Sequence, residues 1–100
     1  MARKKLAPIH PGELLHDELN ELGVSLNRLA RDTRIPLSRV SLIVNGRRSI
    51  TADTAVRLGA FFDTDPQSWM NLQTHYDTDM AKEKIGVEKI EEIRHHAHAA

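Results

Sequence analysis

The chain has 100 residues, with 14 Lys/Arg balanced by 14 Asp/Glu, 40% apolar residues and no cysteine. Those figures predict one folded domain with a modest core, and they exclude disulfides and thiolate metal sites. No apolar run approaches the roughly 20 residues that a membrane-spanning helix needs.

The net charge of zero hides a polarity along the chain. Residues 1–50 carry nine Lys/Arg against five Asp/Glu, and residues 51–100 carry five against nine, so the halves stand at +4 and −4. The first half suits an anion, and the second suits solvent or a basic partner. MARKKLAPIH has charge without a hydrophobic region behind it, which makes residues 1–9 a basic arm and not a secretory signal.

Pro11 opens a first helix, where its missing N–H costs nothing; Leu14, Leu15, Leu19 and Leu22 keep helical spacing and Gly23 supplies the stop. Ser25 caps a second helix, with Val24 and Leu29 spaced as a hydrophobic staple, and its buried face is Leu26, Leu29 and Ala30. A third helix begins near Pro36, turns Val40, Ile43 and Val44 inward and ends at Asn45-Gly46. Thr51 caps a fourth, with Asp53 suited to the helix dipole and Ala55, Val56, Leu58, Gly59 and Phe62 facing inward. Asp65-Pro66 starts a fifth, where Trp69, Leu72, Tyr76 and Met80 form a stripe at intervals of three and four. Gly86 interrupts, and Val87, Ile90 and Ile93 mark a weaker amphipathic tail. No segment alternates as a strand does. The expected fold is all-α, with five helices in a domain over residues 10–84 and a short helical tail over 85–100.

The middle of the chain points to function. Arg28, Arg31, Arg34, Arg39, Arg47 and Arg48 are answered by a single acid, Asp32, between Ser25 and Ile50. That density of positive charge around a compact helix pair suits a phosphate backbone better than a small substrate. Counting from Leu26, the small Ala30 is fifth, Val40 fifteenth and Ile43 eighteenth, which is the spacing of an Xre/Cro-type (lambda-repressor-like) helix-turn-helix. IHPGELLHDEL, IVNGRRSITADTAVRL and DPQSWMNLQTHYD extend the likeness, and with them the chain resembles the HigA/VapI antitoxins over roughly Leu6 to Met80. The resemblance implies a dimeric, cytoplasmic bacterial repressor that binds its own palindromic operator in double-stranded DNA and neutralises a HigB-like mRNA endonuclease toxin. Two positions depart from the family pattern: Leu26 stands where Gln is common, and Arg34 stands at a turn position often held by Gly.

In this motif the third helix enters the major groove and the second crosses the backbone. With Val40, Ile43 and Val44 inward, the helical period points Ser38, Leu42 and Asn45 outward, with Arg39 and Ser41 flanking them and Leu37 in the first turn. Arg39 is the long donor able to reach guanine, and Leu42 is suited to a thymine methyl. Asn27, Arg28, Asn45, Arg47 and Arg48 suit phosphates. Trp69, Leu72 and Tyr76 are read as core that also serves a dimer or partner interface. His10 is read as a helix-start residue, and His95, His96 and His98 as an adventitious rather than a built metal site. Glu13, Asp17, Glu18 and Glu21 form a solvated face; with no nucleophile–base pair, metal cluster or phosphate loop, neither an enzyme nor a cofactor is expected. The competing readings are a stand-alone Xre-type regulator, and a helical protein-binding module that has lost DNA binding.

Overall fold

The computed structural model describes residues 7–99. Six helices make up the described residues: α1 (Pro11–Leu22), α2 (Leu26–Thr33), α3 (Leu37–Val44), α4 (Ala52–Phe62), α5 (Pro66–Ile85) and α6 (Val87–His98). Residues 1–6 of the expected basic arm lie outside them. Local chemistry sets most of the boundaries. The side chains of Ser25, Thr51 and Asp65 accept the N–H groups of Arg28, Thr54 and Gln67, so α2, α4 and α5 each begin on a side-chain cap. Such a cap is worth about 1 kcal/mol. Gly23 ends α1 in the left-handed region, with φ 69°.

The core draws on the first five helices: Leu15 and Leu19, Leu29 and Ala30, Val40 and Ile43, Ala55 and Leu58, and Trp69. Ile35 and Ile50, from the segments between helices, are buried with them. Val24, Leu26, Val44, Phe61, Phe62 and Met70 pack half-buried around this centre. One expectation about α4 is overturned. Val56, expected inward, is 57% exposed, because α4 packs against α2 and α5 through Ala55, Leu58 and Gly59 and leaves its opposite side in solvent.

The end of the chain also differs from expectation. The fifth helix is followed by a full sixth one of 12 residues, as long as α1, rather than a weak tail. It buries no residue, and Val87 and Ile93 stand open, because among the described helices its one substantial neighbour is α5.

One contact fixes where α3 sits. A Cβ added at Gly12 would lie 1.7 Å from the Ile43 carbonyl oxygen, so the first turn of α1 rests backbone-to-backbone on the last turn of α3. Any other residue at Gly12 would push the two helices apart.

Candidate nucleic-acid interface

α2 and α3 are joined by Arg34, Ile35 and Pro36. Arg34 adopts φ 61°, ψ 33°, the left-handed conformation a glycine would take freely, and its N–H closes on the Ala30 carbonyl. Holding a side chain there costs on the order of 1 kcal/mol. Ile35 follows at once into the core, and this anchors the reversal. A brace comes from α4: the Arg57 guanidinium donates to the Thr33 carbonyl at 3.0 Å through Nη1 and to Asp53 at 2.8 Å through Nε. Arg57 thus fixes the carbonyl end of α2 by a positive charge suited to a helix C-terminus.

The register of α3 follows its helical period. Val40 and Ile43 are sealed inward and Val44 is half-buried. Leu37, Ser38, Leu42 and Asn45 are exposed, with Arg39 and Ser41 half-buried beside them. Leu42 is 40% exposed, unusual for a leucine on the side opposite the core. The Asn45 amide donates to the Ser41 carbonyl at 2.9 Å, so that side chain closes its own helix end and leaves its oxygen outward. Asn27 and Arg28 are exposed in the first turn of α2.

The charges sort into two groups. Asp32 bridges Arg28 and Arg31, both at 3.4 Å and all three well exposed, which contributes little to stability. Arg34, Arg39, Arg47 and Arg48 have no carboxylate partner among the described residues. Their positive charge is therefore left for an external anion.

Arg47 and Arg48 owe their placement to the loop after α3. Gly46, at φ 73°, lets its own N–H bond to Ile43 and the Arg47 N–H bond to Leu42. Beneath this loop lies His10, 8% exposed, which caps α1 by accepting the Gly12 N–H on Nδ1 at 2.9 Å. The edge of its ring meets Tyr76 of α5 at 4.9 Å. Burial pushes the His10 imidazole below its ordinary pKa of 6.5, opposed by the nearby Asp77, Glu13 and Arg48 backbone. Farther along, the buried Ile50 N–H donates to Gln73 Oε1 at 2.8 Å, and Gln73 Nε2 donates to Asp77 at 2.9 Å. The loop between α3 and α4 is thus tied to α5 directly at Ile50, and rests on His10 at Gly46.

All ten residues expected to meet DNA are open to solvent in full or in part, on α2, α3 and the following loop. The three expected at an interface are divided: Trp69 is buried and packs near Phe62 at 5.9 Å, Tyr76 is half-buried under His10, and Leu72 is open. Leu14, Phe62, Trp69 and Leu72 floor a groove of about 340 Å³ whose rim carries Asp17, Glu18 and Glu21. Gly12, Ile35, Arg57 and Gln73 were invisible as site-builders, because each acts through a partner distant in sequence. His10 could have been found from His-Pro-Gly at a helix start, a polar residue poised to cap.

The helix-turn-helix family model matches residues 15–69. Virulence-associated protein I of Dichelobacter nodosus is 45% identical over 82 residues, 81% of this chain and 76% of that protein. A solved addiction module antidote protein of the HigA family from Coxiella burnetii is 55% identical at a TM-score of 0.83, over 87% of this chain and 95% of that one. The chain is a HigA/VapI-type member of the helix-turn-helix family. The Pseudomonas aeruginosa antitoxin HigA, solved with the higBA promoter, is also similar, at 46% identity and a TM-score of 0.78 over 81% of this chain and 89% of that one. Among the described residues no helix is long and apolar enough to cross a membrane.

Proposed function

We propose that this chain is an antitoxin that represses its own operon, binding a palindromic operator as a homodimer and neutralising a HigB-like RNase toxin. The observation that carries the DNA reading is α3 itself. Its inward side is fully engaged by Val40 and Ile43, while its outward side presents Leu37, Ser38 and Leu42 between four arginines that lack a carboxylate partner among the described residues. Arg47, Arg48 and Arg28 meet phosphates and supply affinity; Ser38, Arg39, Ser41 and Leu42 face base edges and supply choice of sequence. The solved Pseudomonas aeruginosa relative with its promoter supports this assignment. For the toxin, the supporting feature is the acid-rimmed groove, whose residues lie on α1, α5 and the end of α4 and the turn that follows it, with none on α2 or α3. Its negative rim matches the positive surface of an RNA-cleaving partner.

Fluorescence anisotropy tests the DNA half, with the chain's own promoter fragment and a scrambled duplex across a salt series, for wild type and Arg39→Ala. Promoter-selective binding that weakens steeply with salt and in the variant is expected. Equal binding to both duplexes would overturn it. Co-expression with a HigB-like RNase toxin tests the other half: relief of growth arrest is expected, and unrelieved arrest favours a stand-alone regulator.

A further inference from the structure

We propose that His10 is a positioning residue for the Arg47–Arg48 loop, its neutral ring holding that loop where both arginines meet a DNA backbone. The proposal rests on the DNA-binding reading above. His10 stands where three elements meet. Its Nδ1 holds the first turn of α1 through Gly12, its ring edge rests on Tyr76 of α5, and a Cβ on Gly46 would touch the ring at 3.7 Å. The Arg48 backbone faces the ring.

These contacts make opposite demands on the two nitrogens. Nδ1 must be a bare acceptor for the Gly12 N–H, which leaves Nε2 as the donor nitrogen of the neutral ring. A proton added to Nδ1 would set two donors face to face. Either the ring moves away from the loop or the first turn of α1 shifts. Because Gly12 rests on the Ile43 carbonyl, a shift there passes directly into the end of α3. The groups facing the ring are Asp77 and Tyr76 from α5, Glu13 from α1 and Arg48 from the loop. Asp77 also holds Gln73, which holds the Ile50 N–H, so the carboxylate near the ring also backs the far end of the loop.

The sign of the effect separates it from ordinary electrostatics. Acidification in general adds positive charge to a protein and tightens phosphate binding. Protonation of His10 works against binding.

The test uses the full chain, ¹⁵N-labelled and titrated from about pH 8 to about pH 5.5, with the His10 ring and the Gly12 and Arg48 amides followed by NMR. Anisotropy on the promoter fragment is read over the same range for wild type, His10→Asn and His10→Gln. The two amides are expected to titrate with the His10 ring, and wild-type affinity to fall toward acid, with about tenfold as the ceiling that one linked proton sets over this range. His10→Asn, whose side-chain oxygen keeps the cap without titrating, is expected to lack that fall; His10→Gln checks the same point should Asn fail to fold. Amides that ignore the His10 titration, wild-type affinity that holds or rises in acid, or an identical fall in the variants would each overturn the proposal. No promoter binding even at the alkaline end refutes the DNA reading instead, and the amide titrations still decide whether His10 holds the loop.

Discussion

Replacing Gly12 with Ala tests the contact that seats α3, because helix propensity and packing give opposite signs. Ala is the better helix former by about 1 kcal/mol, so without a neighbour the substitution stabilises α1. The neighbour is the Ile43 carbonyl oxygen, 1.7 Å from the new methyl carbon. An ordinary carbon–oxygen contact is about 3.3 Å, so α1 and α3 must separate locally by about 1.5 Å, and both sides of the clash are backbone, unable to rotate away. Opening that gap also loosens Leu15 and Leu19 against Val40 and Ile43, all but fully buried, and forfeits dispersion contacts around each. Overpacking of this kind costs about 3 kcal/mol or more after the propensity gain, a large fraction of the roughly 5–15 kcal/mol expected for a domain. Urea denaturation followed by helical circular dichroism reads the difference directly. Gly23→Ala is the control: nothing lies within 4 Å of its added Cβ, and only its φ of +69° is strained, so a loss of about 1 kcal/mol is expected there. A Gly12→Ala protein within about 1 kcal/mol of wild type would refute the argument, since no backbone clash is that cheap.

Four further substitutions probe other parts. Arg34→Gly removes the left-handed strain at φ 61° and is expected to raise the unfolding free energy by up to about 1 kcal/mol, read as a higher urea midpoint, less whatever the freer unfolded chain takes back; a lower midpoint would show that the Arg34 side chain holds the turn in some other way. Gln73→Leu strands the buried Ile50 N–H and should cost about 1–3 kcal/mol in thermal or urea unfolding, whereas an unchanged stability would mean that the bond is dispensable. Leu42→Ala should leave stability within about 0.5 kcal/mol while relaxing the preference for thymine in a binding-site substitution series, and a large stability loss would instead place Leu42 in the packing. The folded pKa of His10 lies below 6.5, so the unfolded chain binds the proton more tightly; stability is fully present above 6.5 and declines as pH falls through the folded value. His10→Asn should flatten that stretch of the melting-temperature profile, and a slope unaltered by the substitution would assign it to other groups.

What the sequence discloses depends on how local the cause is. Ser25, Thr51, Asp65 and Gly23 act within four residues of themselves, so the helix boundaries they set were legible. The period of α3 was equally legible, since Val40 and Ile43 are spaced for one side and Ser38 and Leu42 for the other. Val56 misled because Val on a helix is apolar whether or not a neighbour covers it, and here it stands more than half exposed. Ile35 and Ile50 belong to no periodic run, so nothing nearby announced their burial. The loop tethers were hidden for the same reason: Gln73 meets Ile50 across 23 positions, and the His10 ring meets Tyr76 only once α1 and α5 have packed. Sequence thus showed which side of α3 faces outward, but not what holds the helix at its height.

The two-sidedness of α3 bears on how such proteins diversify. Val40 and Ile43 are sealed in the core, while Leu37, Ser38 and Leu42 stand partly open to solvent, so the outward residues can change with less effect on folding. Under the proposed reading, a duplicated copy of the gene could acquire a new operator through a few substitutions there, each intermediate remaining folded. Its partner-facing groove, built on other helices, would be inherited unaltered. Selection on the regulatory circuit and selection on partner pairing would then proceed along separate tracks within one small domain.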